Sequence, residues 1–300
     1  MPKSRFNRKG QGPEEYLDAL SIIYDEDTDE LFVGRRNDIF VYSSKGMYKR
    51  KLPLPDGAMA DGRVISLDKH SLFFYDLSRE VKRFGLEKPD LSAEVYVSPF
   101  YRISKTDGKV LDYIEIPFPP IYLGISLSNG QRIPGRQPRL LKCSEGILVC
   151  SGETDTVFIY RNNQTLTPIL YKTPPVSSTE PMKYLRSCLD RSRYHFIEVC
   201  TVRAGDENPG VFPVTNYMRN KSTGEIFRPK FLLPDYRGKE FVISPSVINV
   251  YDDGYFFELG LSELKQAFRD NKLSGKLKEL VAKLNEDKDN NVFMLVEFKP

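Results

Sequence analysis

The sequence has no tryptophan, two histidines and four cysteines. No apolar run approaches the roughly 20 residues that span a bilayer as a helix. Each shortage removes a class of function. His70 stands in a turn beside Lys69, and His195 lies inside an apolar run, so histidine acid-base chemistry is poorly supplied. Cys143, Cys150, Cys188 and Cys200 show no C-x-x-C spacing, which leaves a zinc site without support. Cys143 and Cys150 flank a turn at Glu145-Gly146, and buried free thiols are the expected state. Charge of one sign is lacking too: 44 basic residues against 41 acidic leave a net +3, no broad field for nucleic acid. The short basic runs at 3–9 and 49–51 read as solvated edges or turns. There is no G-x-S-x-G elbow. Gly10-x-Gly12-Pro13 lacks the third glycine and the lysine of a phosphate loop, and reads as a turn. Asp25, Asp27 and Asp29 have calcium-loop spacing, but Glu30 stands where glycine is required and Arg36 where a bidentate glutamate belongs. That segment is expected to be a hairpin turn.

What is present is a hidden repeat. A polar turn leads into an alternating apolar strand, which stops at proline. The turns are Ser43-Ser44-Lys45-Gly46, Lys105-Thr106-Asp107-Gly108, Asn162-Asn163-Gln164, Lys221-Ser222-Thr223-Gly224 and Asp289-Asn290-Asn291. The prolines lie at 53, 117, 174, 234 and 300, a period of about sixty residues. Gly and Asn supply the positive φ of tight hairpins, and proline ends a strand because it cannot donate to the ladder. Upstream of each turn lie further strand-like runs, such as 19–24, 31–34 and 39–42 in the first unit and 139–143, 147–151 and 156–160 in the third. The 17 tyrosines and 19 phenylalanines suit pleated strands. Four strands per unit, repeated at one period, predict an all-β β-propeller of four-stranded blades, five of them here, in one domain over 1–300.

The fifth unit is interrupted. Residues 261–285 predict two helices, with Leu264, Ala267 and Phe268 on one face and Leu277, Leu280, Val281 and Leu284 on the other helix's face. Ser262 and Ser274 are the expected N-caps. Lys276, Lys278 and Lys283 lie opposite the second stripe, and packing on the propeller is preferred to a membrane-surface role.

The opening Gly10-Gln11-Gly12-Pro13-Glu14-Glu15-Tyr16 resembles the G-x-G-P-x-E-Y signature of six-bladed β-propeller proteins exported by gut bacteria. The ending, Leu277-Lys278-Glu279-Leu280 through Val292-Phe293-Met294-Leu295-Val296, resembles them as well. Glu14 departs from the family's glycine. The resemblance implies six blades, with one blade and a lipoprotein signal ahead of the segment that opens this chain. It also implies a periplasmic or cell-surface location for the full-length protein, although the polar start of the chain as given carries no export signal. It implies no particular reaction.

Function must then come from side chains on the innermost strands and the loops leading into them, which line the mouth of a propeller channel. Arg136 and Arg139 precede one such strand, and Lys183, Tyr184 and Arg186 open the next. Arginine and tyrosine together suit anionic sugars, peptides or carboxylates through bidentate bonds and ring stacking. The expectation is a monomeric, non-catalytic binding or scaffolding propeller whose partner at the channel mouth is a carbohydrate, a peptide or another protein. No metal, cofactor or nucleic acid is assigned. The alternative is a metal-assisted hydrolase or lactonase, which needs acids and amides converging on one ion; Asp18, Asp68, Asp190 and Asn249 lie near strand ends instead. A third class is protein assembly through the helical insertion.

Overall fold

A computed structural model describes residues 7–35, 37–55, 58, 64–76, 98–116, 124–126, 132–134, 139–143, 145–151, 154–202, 213–243, 250–251 and 254–297. The chain forms two compact units. One comprises Met1–Ile121 with Glu145–Ile147 and Ile159–Thr167, the other the remainder.

The first unit opens with β1 (Ser21–Asp25), β2 (Glu30–Gly34), β3 (Asp38–Ser43) and β4 (Tyr48–Pro53), an antiparallel meander in sequence order. The predicted Asp25–Asp29 hairpin turn joins the first two strands, with Asp29 at φ 52°. A second meander follows: β5 (Val64–Ser66), β6 (Ser71–Tyr75), β7 (Phe100–Ser104) and β8 (Val110–Tyr113). The strands form because period-2 patterning gives each sheet an apolar face, and those faces need each other. Phe32, Ile39, Val41 and Leu52 of the first sheet interleave with Leu72, Phe74, Tyr101 and Ile103 of the second. Each fully buried side chain contributes roughly 1.5–3 kcal/mol.

The signature segment is structural. Gly10 N–H donates to the Tyr16 carbonyl and Gly12 N–H to the Glu15 carboxylate, closing a small loop. A Cβ at Gly10 would meet that carboxylate, so a larger residue there would push the Glu15 side chain off its bond to Gly12. Tyr16 is thereby seated edge-on against Tyr42, with ring centroids 6.3 Å apart.

Next come β9 (Gly124–Ser126) and β10 (Arg132–Pro134), a two-stranded sheet that the sequence reading did not assign. The Asn129-Gly130 step between them was the missed signal. The third meander is β11 (Arg139–Cys143), β12 (Gly146–Cys150), β13 (Thr156–Arg161) and β14 (Leu166–Tyr171), where Pro168 is tolerated on the outer strand. The fourth is β15 (Met182–Asp190), β16 (Tyr194–Val202), β17 (Val214–Asn220) and β18 (Ile226–Phe227).

Sequence patterning predicted one strand over 226–233. The run is instead broken at Pro229, which has no N–H for the ladder, and resumes as β19 (Phe231–Leu232) paired with β20 (Glu240–Phe241). The last sheet contains β21 (Val250–Tyr251), β22 (Gly254–Leu259) and β23 (Val292–Glu297). Among the described residues it has three strands rather than four, because β23 pairs directly with β22.

The predicted helices are present as α1 (Leu261–Arg269) and α2 (Gly275–Lys283). Leu264, Ala267, Leu273 and Val281 join Leu189, Phe196, Leu233, Phe241 and Leu259 in one core, so the pair packs on its own unit. Leu280 is an exception to the predicted apolar face and remains exposed. Ser274 occupies the N-cap position of α2 as expected, whereas Gly260 rather than Ser262 holds that of α1; neither makes a side-chain cap bond. Asn291 accepts from Leu261 N–H and Asp235 from Leu277 N–H, so distant residues satisfy the helix starts.

One detail recurs in four sheets. The hairpin joining third and fourth strands donates a backbone hydrogen bond to the hairpin joining first and second. Ser44 donates to Asp29, Lys105 to His70, Asn162 to Glu145 and Lys221 to Arg193, at 3.2, 2.9, 3.1 and 2.9 Å. Each donor hairpin closes through a positive-φ residue, Gly46, Gly108, Gln164 or Gly224. The repeat read from sequence is therefore a repeat of hydrogen bonds.

Candidate functional site

First strands of successive sheets lie side by side: β1 beside β5 in one unit, β11 beside β15 in the other. The expected binding residues fall on that second pair. Arg136 lies outside the described residues. Arg139 begins β11, with its side chain outside them. Lys183, Tyr184 and Arg186 all lie on β15.

The three do not form one cluster. Side chains alternate across a strand, and Lys183 opposite Thr201 takes the other face from Tyr184 opposite Cys200. Arg186 is the extra residue of a β-bulge: Leu185 pairs with Val199 and Ser187 with Glu198, leaving Arg186 between them. A bulge re-aims a side chain and is enriched at functional positions. Arg186 and Tyr184 act on the same thiol. Burial raises the pKa of Cys200, while a hydrogen bond with Tyr184 and the Arg186 charge pull it back. Arg186 and Tyr184 are both half-buried, so part of each remains open to a ligand.

Glu198 and Asn216 sit opposite each other one row further along the same face. Glu198 is 2% exposed, and the Asn216 Oδ1 is buried with no hydrogen-bond partner among the described residues. Sequence reasoning missed both, since a lone polar residue inside an apolar strand looks like the outward half of an alternation. On the other face, Lys172 stands near Lys183. Burial is the main cause that lowers its pKa, with the Lys183 charge adding to it and Asp155, 3.7 Å away, opposing. Asp155 also accepts from Val176 N–H at 2.8 Å and braces the segment leading into β15. Lys172 too was missed; its place just after β14 and before Thr173-Pro174-Pro175 was the available signal.

The two histidines are structural in setting. The His70 carbonyl accepts from Lys105 N–H. His195 is buried with Nε2 3.0 Å from Asp190. Burial works to raise the pKa of Asp190, but hydrogen bonds from His195 and Lys221 outweigh it and hold the carboxyl below its ordinary range. Cys143, Cys150 and Cys200 are buried free thiols, as expected. Of the aspartates with calcium-loop spacing, Asp25 is occupied by Lys105 Nζ at 2.7 Å. Among the described residues no three His, Cys, Asp or Glu side chains converge as a metal site. No helix among them is long and apolar enough to cross a membrane.

Four-stranded meanders with neighbouring first strands define the class: this is an all-β protein of the β-propeller fold. Residues 3–91 match the model of a family described as a 6-bladed beta-propeller, which bears out the resemblance of the opening segment. The chain is similar to a solved Bacteroides fragilis protein described as a candidate exported protein, with 15% identity and TM-score 0.61 over 98% of this chain and 81% of that one. A protein of unknown function from Bacteroides caccae aligns at 13% identity and TM-score 0.37, over 80% of this chain and 69% of that one. No curated protein matches the chain.

Proposed function

We propose that the chain is a non-catalytic binding propeller, one domain over 1–300, that takes an anionic group of a carbohydrate or peptide at Tyr184 and Arg186. The observation that carries this reading is the bulge at Arg186, which turns a guanidinium out of register beside a tyrosine on a first strand. A guanidinium fork matches a carboxylate bidentately, and a tyrosine ring offers a stacking face. The Asn216 Oδ1, without a hydrogen-bond partner among the described residues, would add an acceptor for a hydroxyl or amide donor of the same ligand. Arg139 and Lys183 would extend positive charge along the neighbouring strand and the opposite face. An extracytoplasmic location belongs to the same proposal, supported by the candidate exported relative.

Calorimetric titration with uronic acids, their neutral parent sugars and acidic peptides tests it. The acidic ligands are expected to bind and the neutral ones not. Arg186→Gln should weaken binding about 10- to 100-fold, the loss of a charged hydrogen-bonding partner, without changing the melt. Equal affinity for neutral sugars, or lactone hydrolysis dependent on stoichiometric calcium, would overturn it.

A further inference from the structure

Every cation on the third and fourth strands of the first three four-stranded sheets meets an acid. Lys49 and Arg50 on β4 share Glu30, at 2.9 and 2.7 Å, and Lys51 takes Asp38 at 2.8 Å. Arg102 on β7 stands opposite Asp112 on β8 and grips it at 2.8 and 3.0 Å. Arg161 on β13 pairs with Glu145. The sheet of β15–β18 departs from this pattern. Asp190, His195, Arg219 and Ile226 form one row across its four strands, so Arg219 faces an exposed isoleucine where Arg102 faces an acid.

Alternation extends that row into a stripe, since side chains two residues apart on a strand share a face. Tyr217 lies beside Arg219, and Arg228 lies beyond Ile226. The Arg228 guanidinium stands 5.4 Å from the Tyr217 ring centroid and donates to the Tyr217 hydroxyl at 3.3 Å, which fixes it on the same face. Arg219 touches His195 Nδ1 at 3.5 Å. Among the described residues neither arginine has an ion pair. Asp190, the acid of this face, is held by His195 at 3.0 Å and Lys221 at 2.8 Å. Glu225 stands opposite Asn220 and takes the other face.

We infer that Arg219, Tyr217 and Arg228 form a second binding site, for a phosphate or sulfate group, free or esterified to a saccharide. A guanidinium has five N–H donors, and each arginine spends little of that capacity within the protein. The Tyr217 hydroxyl accepts from Arg228 and keeps its own proton for an acceptor. Diagonal neighbours on paired strands stand about 7–8 Å apart, close enough for Arg219 and Arg228 to grip one anion from two sides. A carboxylate has two oxygens, which one guanidinium fork occupies; a phosphate or sulfate ester has three, enough for both forks and the hydroxyl. Lys221 adds charge at the end of the stripe. This face is opposite to that of Tyr184, which pairs with Cys200, so the inference does not depend on the Arg186 site.

Calorimetric titration of the intact chain at low ionic strength with inorganic phosphate, sulfate, sucrose octasulfate and acetate tests it. Phosphate and sulfate are expected to bind, and acetate at least about tenfold more weakly. Arg228→Gln and Arg219→Gln should each weaken phosphate binding at least about tenfold, the loss of a charged hydrogen-bonding partner. Arg228 is exposed, so its result stands even where Arg219→Gln disturbs His195. Lys276→Gln, exposed on α2, should change nothing. Tighter binding of sucrose octasulfate would identify an esterified group as the ligand, and equal affinity a free anion. Absence of saturable phosphate binding, equal affinity for acetate, or binding indifferent to Arg228→Gln would each overturn the inference.

Discussion

Lys105 and Lys221 hold the same place in the second and fourth of the four-stranded sheets: each opens the hairpin after a third strand and donates its backbone N–H to the hairpin opposite. Their side chains nevertheless do different work. Lys105, 4% exposed, reaches Asp25 of the first sheet at 2.7 Å, with Ser66 Oγ at 2.9 Å and the Asp68 carbonyl at 2.5 Å completing its shell. Lys221, 33% exposed, stays within its own sheet on Asp190 at 2.8 Å and the Arg191 carbonyl. The end of the sheet's own first strand accounts for the difference. Where that strand ends in neutral Ser66, the lysine seeks the neighbouring strand's Asp25; where it ends in Asp190, the acid is at home. One repeat position thus yields a buried staple between sheets in one place and a local brace in another.

The comparison can be broken most forcefully at Lys105. Lys105→Ala leaves Asp25 buried without its cation, a loss of about 3–5 kcal/mol. Urea unfolding monitored by tyrosine fluorescence would read it; a cost under about 1 kcal/mol, the range of surface pairs, would mean that the staple is ornamental. Next in size is Asp190→Asn, expected to cost about 1.5–3 kcal/mol near neutral pH through weakened bonds to His195 and Lys221. Because the folded carboxyl titrates below its unfolded value, its contribution is fully present above about pH 4 and is lost as pH falls through the folded pKa. The gap between wild type and variant should therefore close in acid, and a gap that persists there would contradict the assignment. Smallest is Lys221→Ala, about 0.2–1 kcal/mol as for a part-exposed pair, and the effect should shrink in high salt. A loss matching that of Lys105→Ala would erase the distinction.

A similar split runs through the site and the last sheet. Lys183, Tyr184 and Arg186 were legible as a polar opening to a strand, and they do lie on β15. That Arg186 is bulged was not legible, because a bulge is a mismatch between two strands and neither strand encodes it alone. Glu198 and Lys172 were hidden for a related reason: their burial comes from elements distant in sequence.

The period, the hairpin turns and most strands followed from sequence alone, since alternation and positive-φ residues act over a few neighbours and bias the backbone directly. The helical insertion was equally local. Tertiary structure alone decided which acid each lysine meets, that Asn291 and Asp235 cap the helices, and that β23 lies against β22 with its outer edge open among the described residues. These depend on distances between residues brought together only by folding, and the energy of an ion pair or a ladder depends on separation in space, not along the chain.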